Sequence, residues 1–192
     1  MDRIRLGFAL TGSFCTFAKA FGAIKSLTAE GFDVYPIMSF NSYNISTRFG
    51  SCEDNRKKLR ELTGREIIAT IEDAEPIGPK KMFDALVVAP CSSNTLAKLA
   101  WGVNDTPVTM AAKAQLRTGK PVVIALASND ALSANLQNIA RLTVRKNIYF
   151  VPMFQDDTEK KPDSLICDFS QLKQTVVSAL KGKQIQPLWC VE

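Results

Sequence analysis

The stretch from Asp84 to Thr106, DALVVAPCSSNTLAKLAWGVNDT, constrains the fold of this chain more than any other. It opens on Ala85-Leu86-Val87-Val88-Ala89, a run with no polar alternation. A strand apolar on both faces belongs in the middle of a parallel sheet covered by helices on each side. Pro90 is expected to break that strand sharply. Cys91-Ser92-Ser93-Asn94-Thr95 then gathers small polar groups ahead of a helical pattern in which Leu96, Leu99 and Ala100 share a face. In parallel sheets ligands bind beyond the carboxyl ends of the strands. Free N–H groups and the helix dipole at such a junction favour an anion. Ser, Asn and Thr are also ordinary helix caps. Four of them in succession point to a phosphate or cofactor site at least as readily as to capping alone.

The rest of the chain repeats the strand–turn–helix unit. Arg3 to Leu10 reads as the first strand, followed by the turn Thr11-Gly12-Ser13-Phe14-Cys15-Thr16 and a helix from Phe17 to Glu30. One Gly-Ser is not a full dinucleotide fingerprint, so this turn taken alone is weak evidence for phosphate binding. Phe32 to Met38 is the second strand, with Pro36 an irregularity that places it off the sheet centre or distorts it. Ser39 to Asn44 is a polar turn at its carboxyl end. Cys52 to Thr63 is a charged helix closed by Gly64; Glu66 to Thr70 is a short strand; Ile71 to Lys81 is a loop expected to pass over the ligand site. Helices follow from Pro107 to Arg117 and Ala131 to Arg141, the latter capped by Asp130, with a buried strand from Pro121 to Ala127 between them. Ile148 to Pro152 is the final strand, Phe154 to Pro162 a polar loop, and a last helix runs from Ser164 or Asp168 to Leu180. Residues 182–192 form a C-terminal tail in which Leu188 and Trp189 dock on a neighbour or on their own domain. This alternation predicts an α/β chain, a three-layer αβα sandwich on a parallel sheet, in one domain spanning 1–192. Right-handed crossovers bring the turns at Gly12-Ser13, Ser39–Asn41 and Cys91–Thr95 over one crevice.

Composition narrows the function. At 192 residues and 46% hydrophobic content the chain can bury a substantial core. No apolar run approaches the ~18 residues of a membrane span, and the N-terminus lacks a signal-peptide pattern. A cytoplasmic protein is expected. The net charge of +5 is spread over helix faces without interleaved aromatics, which suits anionic small molecules better than nucleic acid. The five cysteines are scattered without CxxC spacing, so neither a disulfide framework nor a zinc site is expected. There is no histidine at all. That excludes Ser-His and Cys-His nucleophile pairs and His-based metal sites. Acid or base chemistry must use a carboxylate, Lys, Tyr, Cys, a cofactor or a partner's residue.

PCSSNTLAKLAWGVNDT, Pro90 to Thr106, resembles the PASANT signature of flavin-dependent cysteine decarboxylases and the PCS-x-x-T segment of flavin prenyltransferases. The Gly-Ser turn and Lys19 are similar to those families too. The likeness covers nearly the whole chain and implies a Rossmann-like, flavodoxin-like FMN fold, assembled as a trimer or dodecamer with flavin at subunit interfaces. It implies FMN contacts from Gly12, Ser13, Phe14, Ser39, Asn41, Cys91, Ser92, Ser93, Thr95 and Ser128, and catalytic roles for Asn94 and Lys19. The departures are informative. The decarboxylases' histidine is replaced by Pro76-Ile77-Gly78-Pro79, and their AMN-type segment by Ala127-Ser128-Asn129-Asp130. The prenyltransferases' arginines are replaced by Ser128 and Met110, with Lys113, Lys160 or Lys161 as the available substitutes. RIRLGFALTGSFCTF, IYFVPMFQDD and KPDSL extend the likeness to flavoprotein-type subunits of spore-forming bacteria. These imply a dehydrogenase-like partner holding NAD or NADP, and oxidation of an anionic dihydropyridine dicarboxylate in the mother cell. The alternatives are a flavin prenyltransferase and a non-catalytic binding subunit.

Overall fold

The computed structural model describes residues 3–190. Met1 and Asp2 of the expected N-terminus, and Val191 and Glu192 of the expected tail, lie outside the described residues. β1 (Arg5–Leu10), β2 (Asp33–Met38), β3 (Ala85–Cys91) and β4 (Val122–Ser128) are mutually parallel in the order β2-β1-β3-β4. β3 is buried along its whole length, as its unbroken apolar run requires. Its alternate residues feed two separate cores. Leu86 and Val88 join Ile77, Leu96, Val108 and Ile139 on one face; Ala85, Val87 and Ala89 join Phe17, Ile24, Leu59 and Val176 on the other.

The helices bear out most of the periodicity. α1 (Phe17–Ala29), α3 (Cys52–Thr63), α5 (Ser93–Trp101), α6 (Pro107–Arg117) and α8 (Leu172–Leu180) cover the sheet. Gly64, at φ 65°, ends α3 in the left-handed region open to glycine. Pro36 lies in β2, the edge strand, where a missing N–H is tolerated.

Several expectations give way to tertiary context. The central strand does not break at Pro90. It continues to Cys91 through a cis Ala89–Pro90 peptide, with a register shift against β4. Ser39 to Asn44 is not a plain turn but α2 (Phe40–Asn44), capped by Ser39. Glu66 to Thr70 contributes one bridge, Ile37 to Ile68, rather than a strand. Residues 71–77 form α4 (Ile71–Ala74) and a 3-10 turn, with Ala74 and Ile77 wholly buried. They pack on the sheet flank and do not pass over the ligand site. The helix expected at Ala131 begins at Leu136 (α7, Leu136–Thr143), because Asp130 holds a turn instead.

The largest miss lies beyond β5 (Ile148–Phe150), which pairs parallel with the first half of β4. β7 (Leu165–Cys167) pairs antiparallel with the second half, and β6 (Met153–Phe154) pairs with β7. Strands this short leave no readable alternation. In the tail, Met153 N–H donates to Leu188 O and Cys190 N–H to Met153 O, both backbone bonds. Leu188 packs on the core of its own chain, whereas Trp189 stays 48% exposed.

One ionic contact locks the amino ends of β1 and β3. Asp84 accepts from Arg5 N–H at 2.9 Å, the Arg5 guanidinium at 3.1 Å and Lys120 Nζ at 3.1 Å. Burial works against ionisation of Asp84, but these donors outweigh it and hold the carboxyl below the usual range. A lowered folded-state pKa stabilises above the unfolded value and is lost as pH falls through the folded one. Stability should therefore be flat near neutrality and fall below about pH 4. Asp84→Asn should lower the urea midpoint at pH 7, with the deficit shrinking toward pH 2. An equal deficit at both pH values would exclude ionisation as the cause.

Candidate functional site

The carboxyl ends of β1, β3 and β4 open into a cavity of about 1210 Å³. It exceeds the roughly 300–1,000 Å³ of a single small-molecule site. Gly12, Ser13, Phe14, Ser39, Asn41, Ser92, Ser93, Asn94, Thr95 and Ser128 all line it. The three separated turns thus meet at one crevice.

The crevice is framed by hydroxyl-to-backbone bonds across strands. Thr11, fully buried, donates from Oγ1 to Pro90 O at 2.7 Å and accepts from Ser92 N–H at 2.9 Å. It ties the end of β1 to the start of α5. Ser13 Oγ donates to Ala127 O at 2.8 Å, tying the first turn to β4. Ser39 Oγ accepts from Ser42 N–H and caps α2. Ser92 occupies the N-cap of α5, but its side chain makes no capping bond and instead donates to Thr95 Oγ1 at 3.3 Å. The first-turn N–H groups of α5 therefore remain available to a ligand. Asn94 is exposed on the cavity and its amide makes no hydrogen bond among the described residues. It does not cap the helix.

Three of the sequence-based placements are corrected. Cys91 does not line the cavity: it is the last residue of β3, its side chain is wholly buried, and burial pushes its thiol far up. A helix N-terminus lowers a thiol only where the sulfur faces it. Lys19 stands on the exposed face of α1, outside the cavity. Lys113 is also elsewhere, in a small cleft with Arg117 and Arg145. The cavity's cations are Arg48, Lys98, Lys160 and Lys161. Lys98 is paired with Asp105 at 2.8 Å and Lys161 with Asp156 at 3.1 Å. Asp105 thus braces its loop, and the Lys98 hydrogen bond holds its carboxyl low. Arg48 lies 4.9 Å from the Phe49 ring centroid, and neither its guanidinium nor the Lys160 ammonium pairs with a carboxylate among the described residues, although the Lys160 backbone N–H donates to Asp157 Oδ1 at 2.9 Å.

Three features of the site were not legible beforehand: the buried Thr11 hydroxyl behind the wall, the Thr47–Phe49 segment after α2, and, beyond Lys160 and Lys161, the run to Ile166 that leads into β7. Arg48-Phe49, a cation beside an exposed aromatic before Gly50, is the one local signal that marks the second. The third depends on an antiparallel strand with no local signature.

The floor of the cavity holds a hydroxyl–carboxylate cluster. Ser93 Oγ and Ser128 Oγ are 2.7 Å apart, Ser128 Oγ donates to Asp130 Oδ1 at 2.7 Å, and Ser93 Oγ also donates to Asp130 Oδ1. Asn135 Nδ2 donates to Asp130 Oδ2 at 2.8 Å. Burial opposes ionisation of Asp130, but these donors outweigh it and hold the carboxyl below its ordinary range.

A family model described as Flavoprotein matches residues 1–182. The chain belongs to the flavoprotein family. This flavoprotein is 46% identical, over 96% of its length and 92% of the relative's, to the B subunit of dipicolinate synthase from Bacillus subtilis. The crystal structure of the B subunit of dipicolinate synthase from Bacillus halodurans C superposes with a TM-score of 0.91 at 39% identity, covering 100% of both chains. AnUbiX (PadA1), solved in complex with FMN and dimethylallyl pyrophosphate, shares the flavoprotein fold at a TM-score of 0.62 and 20% identity, over 79% of this chain and 78% of that one. Among the described residues, no helix is long and apolar enough to cross a membrane.

Proposed function

We propose that this flavoprotein is the flavin-binding half of a dipicolinate synthase. It would work with the dehydrogenase-like A subunit of that enzyme to oxidise dihydrodipicolinate, or its hydrated precursor, to dipicolinate in the sporulating mother cell. NAD or NADP, if used, belongs to that partner. One observation carries the reading: a single cavity joins a hydroxyl-lined half, built for a neutral or phosphate-bearing ligand, to a rim where the side chains of Arg48 and Lys160 have no carboxylate partner among the described residues. The substrate is a dianion, and opposite charge in a concave site concentrates it.

FMN fits the residues present. The open N–H groups of α5, with Ser92 and Thr95 beside them, suit a phosphate. Gly12, without a side chain, leaves the backbone of the first turn approachable, and Ser13, Phe14, Ser39 and Asn41 complete that wall. Bound FMN supplies a two-electron hydride acceptor. The chain's own part is to orient ring and substrate, neutralise the carboxylates with Arg48 and Lys160, and exclude water. Lys19 and Asn94 differ in this scheme. Asn94 faces the cavity with an amide that makes no hydrogen bond among the described residues and suits a carboxylate or a flavin edge, whereas Lys19 has no part.

Assembly as a trimer or dodecamer accords with Phe40 and Phe49, 41% and 51% exposed at the cavity wall. The absence of histidine favours a second reading, a non-catalytic subunit that holds substrate for its partner.

The deciding experiment is the visible spectrum of the purified chain, with any released cofactor identified by mass. Oxidised-flavin bands and an FMN mass are expected, together with dihydrodipicolinate oxidation once the dehydrogenase-like partner is added. A colourless protein that takes up no FMN would move the assignment to the non-catalytic reading.

A further inference from the structure

The geometry points to Ser93, Ser128 and Asp130 as the proton exit of the site, with either serine receiving the substrate's proton and Asp130 storing it. The inference rests on the oxidation reading above.

It comes from counting hydrogens. Ser93 Oγ, Ser128 Oγ and Asp130 Oδ1 lie mutually within hydrogen-bonding reach, which makes three oxygen–oxygen contacts. Each serine brings one hydrogen and an ionised carboxylate brings none. Two hydrogens cannot fill three contacts, so the triangle is one proton short. Ser128 Oγ also accepts from the Asp130 N–H at 3.4 Å, so Ser93 Oγ keeps the more open lone pairs. Both serines line the cavity, whereas Asp130 stands behind them and does not. The cluster therefore presents acceptors to the ligand and hides its charge. A third proton completes it.

The surroundings permit this role. Asp130 meets Ser93 from α5, Ser128 from β4 and Asn135 from the turn before α7, and no cation pairs with it among the described residues. An ionised Asp130 is thus held by neutral donors alone. The other carboxylates on the cavity are differently placed. Asp105 and Asp156 are spent on lysines, and Asp163 is exposed to solvent with no hydroxyl relay in front of it.

Aromatising a dihydropyridine removes two ring hydrogens. One leaves as hydride to a two-electron acceptor, the oxidised flavin of the proposed function. The other leaves as a proton, its bonding pair staying in the ring as the new π bond. Ser93 Oγ or Ser128 Oγ takes that proton while its own hydrogen passes to Asp130 Oδ1. Both serines end neutral and Asp130 ends as the acid.

The test uses the full chain, alone and in complex with its dehydrogenase-like partner. In the chain alone, a carbon-13 carboxyl titration should place Asp130 below the usual carboxylate range, and Ser93→Ala/Ser128→Ala should raise it. In the complex, Asp130→Asn should lower kcat about 100-fold or more with little change in KM. Each single serine variant should lose less than the double, because either hydroxyl can bridge. Asp130→Glu, which retains a carboxylate, should recover part of the rate and controls for misfolding. An Asp130→Asn complex with wild-type kcat, a loss confined to KM, or a loss produced by Asp163→Asn instead would overturn the relay. So would an Asp130 titration that ignores the hydroxyls. An inert wild-type complex with the expected titration would remove the oxidation reading itself, a separate outcome.

Discussion

Replacing Phe83 by alanine is expected to destabilise the fold by about 3–5 kcal/mol, the cost of emptying a fully packed aromatic site. Phe83 is wholly buried just before β3, with its ring 5.2 Å from that of Tyr35. Its partner across the strand is an absence. A Cβ added at Gly7 would fall 2.6 and 2.7 Å from the Phe83 ring and 2.8 Å from Leu86 Cδ1. Glycine in the middle of β1 thus exists for close approach rather than for backbone freedom. Gly7→Ala alone should cost about 1–3 kcal/mol through overpacking. Combined with Phe83→Ala it should cost less than the sum, because the new methyl enters the vacated space. Urea unfolding of the two single variants and the double decides the matter. Costs that add to within about 0.5 kcal/mol would show that the two positions do not share that space.

Thr11→Val is expected to weaken the fold and the ligand site together. The exchange keeps the shape and removes the hydroxyl, stranding Pro90 O and Ser92 N–H at once. Each buried unsatisfied group costs about 1–3 kcal/mol, so roughly 2–6 kcal/mol is expected for the pair. The same hydroxyl sets where α5 begins relative to β1. Losing it should therefore weaken FMN binding at least about tenfold, equivalent to about 1.4 kcal/mol. Thr11→Ser keeps both bonds and should restore both properties. Calorimetric unfolding and flavin fluorescence titration measure the two effects. A valine variant that binds FMN as tightly as the parent would detach Thr11 from the site.

What was legible in advance follows the range of the interactions concerned. α3 and α6 begin and end where their apolar spacing, caps and glycines place them, because those signals act within a turn or two of helix. β3 was legible because a continuous apolar run has one comfortable environment. The convergence of the turns at Gly12-Ser13, Ser39–Asn41 and Cys91–Thr95 on one crevice, which Cys91 itself does not line, follows from right-handed crossovers, a rule that needs no side-chain detail. The misses share the opposite property. Pro90 reads locally as a breaker, yet β4, paired at Cys91 through Leu126, and the Thr11 hydroxyl on Pro90 O hold the strand to Cys91. Asp130 reads as a cap for a helix at Ala131, but Ser93, 37 positions earlier, draws its carboxylate into another bond. Lys19 and Lys113 read as substrate cations, and helix orientation turns both away from the cavity.

The sequence by itself determined the layered α/β fold, the central strand, the absence of imidazole chemistry and the polar composition of three turns. Each depends on residue type or on spacing within one element. Only the tertiary structure decided that β7 runs antiparallel along β4, bringing Lys160 and Lys161 to the rim. It alone set Thr11 beneath Pro90 and closed Ser93, Ser128 and Asp130 into one cluster. The Thr11–Pro90 and Ser93–Ser128 contacts join residues 79 and 35 positions apart. Contacts at such separations are fixed by packing around the whole sheet, and no local pattern encodes them.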